Sequence, residues 1–490
     1  MQFSLGTSAN SKEPVIWDDS RLVNPHIAIM GTSGAGKTYT MRKLINQCLA
    51  SYTDTQKRSH KFEVFDVHGD IEIPNCSTVL FSEQTQYGLN PFLVNPDPHH
   101  GGVRKKLRGF INTINKTSRK LGDKQEGVLR NIINDTYTSY GFFDNDPKSW
   151  VIDPNAKELV HTTDGRMYID VPYEDKDDAK ALGANWDKDA KNWFISIDEY
   201  DGAITKWRPK IIGKRNPNLN DVLRTARFIA RSVFMGVNQN AIVKLEQAQK
   251  AGQALHKKRL HHMRQDGSLL NDGKLDEQLA KAKEKAIDAY TEYANSITTG
   301  IEIEELMKYN SADVLMSVLN KLENLNSVGI FKDEQPPFDD NNNIWRYNLK
   351  ALGLEERKMF VLFRCTEVFE KCIQLGETNE LRRTLVIDEA PIFMDDDPDN
   401  ILTLIAREGR KFGLQLIIAS QSPEKFPDDI ISSIATKIIL GIDERFWKPT
   451  ETKMNVERKA LEWVVLQKSL LIQTKSKGEN KTKWIWTYIS

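Results

Sequence analysis

The segment GTSGAGKT, Gly31 to Thr38, narrows the possible folds more than any other stretch of the chain. It fits the pattern G-x-x-x-x-G-K-[ST], in which a glycine-rich loop leaves its backbone N–H groups free to surround phosphate oxygens. Gly31, Gly34 and Gly36 keep side chains out of that space. Lys37 is placed to reach the β- and γ-phosphates, and the Thr38 hydroxyl to hold Mg2+. The apolar run HIAIM, His26 to Met30, precedes the loop, and TYTMRKLINQCLA follows it with helical spacing. Strand, loop and helix in that order aim the positive end of a helix at the anion. The candidate nucleotide-binding residues are therefore Gly31, Thr32, Ser33, Gly34, Ala35, Gly36, Lys37, Thr38 and Tyr39.

Further apolar, β-branched runs lie at both ends of the chain: KFEVFDV (61–67), TLVIDEA (384–390), LQLIIAS (414–420), TKIILGI (436–442) and SLLIQT (469–474). Runs without polar alternation suit strands covered on both faces. With helical segments between several of them, they predict an α/β fold: a mostly parallel sheet with helices on each side. KWIWTYI, near the last residue, reads as an added edge strand. LVIDEA supplies two adjacent carboxylates at the C-terminal end of a strand, where such sheets gather their ligands. Asp388 is assigned to Mg2+ and Glu389 to the general base. The next strand ends in ASQSP, which places Gln421 where its amide can sense the γ-phosphate or orient water. Between them, IAREGRKFG carries Arg407, Arg410 and Lys411 at a helix end. These cations either complement that helix terminus or present an arginine to the nucleotide of a neighbouring subunit.

The distance from Val67 to Thr384 far exceeds one crossover, so the core, expected at 1–90 and 300–490, carries insertions. Residues 91–165 read as helices. Residues 166–208 read as a small α+β module: a strand, a proline break, an Ala-rich helix, a tight Trp-Asp turn and an aromatic strand. Its Tyr173, Trp186, Trp193 and Phe194 are expected mostly as its own core. The alternative is stacking on unpaired bases, with Lys176, Lys180, Lys188 and Lys191 beside the backbone. Residues 209–299 read as a helical arm or hairpin, interrupted at DGSLLNDG (266–273). The basic stretches KKRLHHMR (257–264) and KWRPKIIGKR (206–215) are either solvated faces or phosphate-tracking surfaces.

The 68 basic and 68 acidic residues cancel, so any contact with DNA must be local rather than drawn by a global field. Cys48, Cys76, Cys365 and Cys372 lack metal-ligand or C-x-x-C spacing, which predicts reduced thiols and no zinc site. No run of 18 apolar residues occurs, and the expectation is a cytoplasmic protein that is not integral to a membrane.

These motifs, in their order and spacing, resemble the HerA/FtsK superfamily of motor ATPases, particularly its HerA-like and conjugative-ATPase branch. The residues that carry the resemblance are NPHIAIMGTSGAGKTYTMRKLI, FDVHGD (65–70), GLNPF (88–92), LENLNSVGIF (322–331), LVIDEAP and IAREGRKFGLQLIIASQSPEKFPDDIISSIATKIIL. The resemblance implies a RecA-like P-loop core, ATP with Mg2+, and a homo-oligomeric ring, typically a hexamer. It assigns Lys37, Thr38, Asp388, Glu389 and Gln421 the roles above and makes Arg410 the preferred arginine finger, with Arg407 second. Asp66 and His68 match a family motif at the end of the second core strand. The 166–208 module resembles a small domain of plasmid primases and antirestriction proteins. The expected function is a DNA translocase or helicase-like motor in plasmid or phage DNA processing or in defence, where it would serve a partner nuclease. Two alternatives stay open: a secretion-type ATPase acting with protein or secretion components, and an assembly or switch protein that binds ATP and scarcely hydrolyses it. Pro391 stands where the family often has histidine after DEA.

Overall fold

All four residues of Ile27–Met30 (β3) are buried, as a strand at the centre of a parallel sheet requires. With strands numbered along the chain, the eleven-stranded sheet runs β2 (Pro14–Asp18), β1 (Gln2–Ser8), β14 (Trp484–Tyr488), β13 (Ser469–Thr474), β12 (Thr436–Ile439), β3, β11 (Phe412–Ser420), β10 (Thr378–Ile387), β4 (Lys61–Asp66), β9 (Ile344–Asn348), β5 (Ser77–Leu80). From β12 to β5 every neighbouring pair is parallel. From β12 outwards through β13, β14, β1 and β2 the pairing is antiparallel. This is the α/β, RecA-like P-loop architecture expected from the sequence. The computed structural model describes residues 2–51, 60–152, 166–188, 191–196, 199–200, 202–207, 215–235, 239–265, 273–296, 308–309, 311–332, 334–479 and 482–489.

One expectation about the sheet is corrected. KWIWTYI is not an edge strand, because β14 lies between β13 and β1, with Thr7 opposite Tyr488. The segments QFSLGTS and PVIWD, not foreseen as strands, pair with each other and move that edge out to β2. Trp17 of β2 anchors them: its ring stacks on Phe3 at 4.7 Å and its indole N–H donates to Thr436 Oγ1 at 3.0 Å.

The two faces of the sheet are covered separately. On one, Ile27, Ile29, Phe62, Val64, Val386 and Ile417 meet Met41, Leu44, Ile45 and Cys48 of α1 (Lys37–Ser51). On the other, Phe65 stacks on Tyr347, and Phe360 of the helix Leu354–Gln374 closes on Phe81 at 4.5 Å. No described helix is long and apolar enough to cross a membrane.

The chain forms two units: 1–91, 95–120 and 327–490 make the first, and 92–94 with 121–326 the second. The boundaries expected at 90 and 300 are therefore revised. The helix Val103–Thr117 joins the sheet unit, since Phe110 packs on Phe363 and Lys106 pairs with Glu370 at 3.0 Å. The helix Ala312–Ser327 belongs mainly to the second unit, where Ser317 meets Gln125 and Glu323 meets Arg227.

Within the second unit, the small module has a three-stranded sheet ordered β6 (Arg166–Ile169), β8 (Asn192–Ser196), β7 (Asn185–Asp187), with the helix Lys176–Ala181 beside it. Trp186 and Asp187 lie in β7 rather than in a turn. Its core is Ile169, Ala179, Ala184, Ile195, Ile204 and Trp207. Tyr173 is 81% exposed and Trp186 49%, so these two are not core. The arm is two helices, Gln239–Gln265 and Gly273–Ser296. Its interruption at 266–272 and the side chains of His261, His262 and Arg264 lie outside the described residues.

Candidate nucleotide site

The phosphate loop leaves the C-terminal end of β3 and is sewn to both neighbouring strands. Gly31 N–H donates to Ser420 O at the end of β11 (3.0 Å), and Thr32 N–H to Gly441 O just past β12 (2.9 Å). Gly34 and Gly36 hold φ of 78° and 98°, and a Cβ built at either meets nothing within 4 Å. Both positions need glycine for backbone conformation, and both face open space. α1 starts at Lys37, so the N–H groups of its first turn have no intrahelical partner and point at that space.

Lys37 curls back under the loop. Its Nζ donates to Gly31 O at 3.0 Å and Thr32 O at 3.5 Å, and lies 3.9 Å from Glu389 Oε1. Gln421 donates its amide to the same Glu389 oxygen at 3.0 Å. Three side chains separated in sequence by up to 384 positions thus meet at one carboxylate. The cause is topological: β3, β11 and β10 are adjacent and parallel, so the residues just past their C-terminal ends share one edge. Glu389 sits in the left-handed region at φ 48°, a conformation that costs about 1 kcal/mol or more in a non-glycine residue.

Asp388 is 5% exposed. One of its oxygens accepts the Glu389 N–H at 3.0 Å, and its carboxylate has no other hydrogen bond among the described residues. Burial, and then the Glu389 charge, hold its carboxyl above the usual aspartate range, although Lys37 and His68 pull it down. A buried acid without a directly bonded cation suits a bound divalent ion, and Thr38 lies in the first turn of α1, next to Lys37, whose ammonium acts on the same acid. Oxygen donors are also the set that Mg2+ prefers. Thr38 and Asp388 therefore fit the expected Mg2+.

The remaining candidates have other surroundings. Tyr39 is half exposed and its ring carries the Arg42 guanidinium at 5.7 Å; Arg42 donates to Glu72 O, which puts this pair on the β4 side of the loop. Arg410 bonds Val23 O, and Arg407 pairs with Asp429 at 2.6 Å. Arg410 precedes the nine-residue strand β11, so it lies at the opposite edge of the sheet, about 30 Å from its own phosphate loop. Neither arginine meets Lys37, Asp388 or Glu389 within this chain. Asp66 is an anchor rather than a phosphate-side group: it takes Arg346 Nη2 at 2.6 Å and Nε at 2.9 Å, and the N–H groups of Gly69 and Ile71. His68 is exposed and close enough to act on the Asp388 charge. Gln467, overlooked in the sequence, donates Nε2 to Gly34 O at 3.0 Å; nothing in the surrounding VVLQK distinguishes it from a loop glutamine.

Comparison with known proteins agrees with this geometry. Residues 3–100 match the family model described as helicase HerA, central domain, and residues 166–209 match a domain of unknown function, DUF5710. A DNA double-strand break repair helicase HerA from Pyrococcus furiosus is 47% identical over 62 residues, 12% of this chain and 11% of that protein. The one from Saccharolobus solfataricus is 25% identical over 288 residues, 54% of this chain and 51% of that protein. The chain thus spans about half or less of the length of these relatives. A DNA primase TraC from Escherichia coli is 43% identical over 42 residues, 9% of this chain and 3% of that protein. Among solved structures, VirB4 of Thermoanaerobacter pseudethanolicus shares the fold, with a TM-score of 0.52 and 12% identity over 100% of this chain and 96% of that one. The HerA/FtsK type drawn from the motifs is borne out by these matches.

Proposed function

We propose that this HerA/FtsK-type P-loop chain is an ATP-hydrolysing motor that assembles into a homo-oligomeric ring, typically a hexamer, and moves along DNA. The observation that carries the reading is the convergence of Lys37, Glu389 and Gln421 on one point beside the phosphate loop. Lys37 leaves its two loop carbonyls to neutralise the β- and γ-phosphates. Glu389 accepts a proton from the attacking water, which Gln421 helps to orient. Thr38 and Asp388 would hold Mg2+, which supplies charge neutralisation at the phosphate oxygens. Arg410, with Arg407 second, completes the site of a neighbouring subunit, because neither can reach its own. The location proposed is cytoplasmic.

The DNA part of the reading is supported by the likeness to proteins named as DNA repair helicases. It is tested by ATP turnover with and without single- and double-stranded DNA at low salt, alongside the mass of the assembled particle. DNA stimulation is expected, and its absence on both substrates removes DNA from the proposal. One observation favours a protein substrate instead: the formal net charge of zero gives no global attraction to a polyanion. A motor of that kind turns over ATP without DNA stimulation and co-purifies with secretion components rather than with a nuclease.

A further inference from the structure

The phosphate loop has a second neighbour on the side away from the catalytic acids. In the sheet order β12, β3, β11, β10, the acids follow β10, on one side of the loop. β13 runs antiparallel to β12, so the segment that enters β13 lies at the same edge as the loop, on its other side. That segment is Val464, Val465, Leu466 and Gln467. Gln467 bonds Gly34 O of the loop at 3.0 Å. Leu466 lies on Gly441, whose carbonyl holds Thr32 N–H: a Cβ at Gly441 would sit 2.5 Å from Leu466 Cδ2, and φ there is +127°.

Two properties set this segment apart. Val465 and Leu466 are 52% and 47% exposed, an apolar pair presented to solvent beside a polar loop. They are nonetheless held still. Val465 N–H donates to Ser469 Oγ at 2.8 Å, and its carbonyl accepts from the N–H groups of Lys468 and Ser469 at 3.0 Å each. Gln467 is kept at φ +62°, where a non-glycine residue is strained. A fixed, exposed apolar surface is already organised for a ligand and loses little entropy when one arrives.

The direction of the ligand follows from the acids. A triphosphate with its terminal phosphate toward Glu389 and Asp388 must leave its nucleoside end on the side of β12 and β13. We infer that Val465 and Leu466 form the shelf for the nucleobase of a nucleoside triphosphate, and that Gln467 is a positioning residue that holds the phosphate loop in register with this shelf. This rests on the nucleotide-binding reading above and assigns the base end of the same site. The shelf's side chains are hydrocarbon, so they recognise the flat face of a ring rather than its polar edge.

The test is competition against a fluorescent ATP analogue on the full chain, with ATP and inorganic tripolyphosphate as competitors. Val465→Ser and Leu466→Ser should each weaken ATP by about fivefold, from lost apolar contact, and leave tripolyphosphate unchanged. Gln467→Asn keeps the amide and tolerates a left-handed backbone, yet is one methylene too short to reach Gly34 O. It should weaken ATP and tripolyphosphate by the same factor and raise KM with little change in kcat. If both serine variants bind ATP as the parent does, or lose tripolyphosphate to the same degree as ATP, the shelf is overturned. Val465 is solvent-facing, so its serine variant keeps the test valid should Leu466→Ser fail to fold. A parent chain that binds neither competitor overturns the nucleotide reading itself, a result distinct from failure of the shelf; Lys37→Ala, which should lose both, marks that outcome.

Discussion

Glu389 shows how one residue can be both strained and bound. Its left-handed backbone is maintained while its carboxylate is held between the Gln421 amide and the Lys37 ammonium. Replacing it by glutamine keeps size and shape and removes the base. Glu389→Gln is expected to retain nucleotide and to lower phosphate release by about 100-fold or more, measured by single-turnover hydrolysis and filter retention. Unchanged turnover would place the base elsewhere. Two buried histidines set a different expectation. Burial, and then nearby Arg410, hold His26 neutral down to about 3; burial and then Arg383 do the same for His60. In the unfolded chain both protonate near the ordinary value of 6.5. Their contribution to stability is therefore complete above that pH and is lost as pH falls from 6.5 toward 3, by about 1.4 kcal/mol per pH unit for each histidine. Urea unfolding between pH 7 and pH 5 should show this decline before carboxylates titrate, and His60→Gln should reduce its slope by the share of one histidine.

At the scale of elements, the central strands were legible from hydrophobic runs, whereas the outer strands β1 and β2 and the polar groups that join strands were not. Glu63 of β4 is fully buried. Burial pushes its carboxyl up, but Arg364 at 2.8 and 3.0 Å, Arg383 and the Tyr347 hydroxyl hold it below the usual range. Read in sequence, KFEVFDV shows only a glutamate in an apolar run; its partners are about three hundred residues away. Glu63→Gln leaves two partly buried guanidinium groups facing a buried neutral amide, and it should cost about 3 kcal/mol in denaturant unfolding. Asp66 behaves likewise. The motif FDVHGD was visible, but the pairing with Arg346 of β9 was not, and that pairing makes Asp66 the fastening of the turn after β4. Asp66→Ala is expected to destabilise by a similar amount, while Lys37→Ala, at a site built for a ligand, should leave the melting temperature of the free chain within a few degrees.

For the whole molecule, the separation of Arg410 from its own phosphate loop yields a test that no single chain can pass alone. If Arg410 acts across a subunit boundary, Lys37→Ala and Arg410→Ala rings are each inactive. Mixed rings contain interfaces that pair an intact loop with an intact arginine, and random mixing should restore about a quarter of parental turnover. No recovery on mixing would exclude Arg410 as the finger. The small module and the arm show where local pattern falls short: their elements were largely foreseen, but Tyr173 and Trp186 are exposed, because about forty residues can bury only a few side chains and Trp207 with the aliphatic residues filled the core. By itself the sequence determined the phosphate loop, the acidic pair and the apolar strands around them with their mostly parallel class, since each is written in local pattern: glycine spacing, apolar runs, a carboxylate at a strand end. Tertiary structure alone decided that Gln421 and Lys37 share Glu389, that Asp66 is an anchor, that Gln467 bonds the phosphate loop and that Leu466 lies on Gly441. Those facts depend on strand order, and strand order is set by packing between segments hundreds of residues apart, for which no local pattern exists.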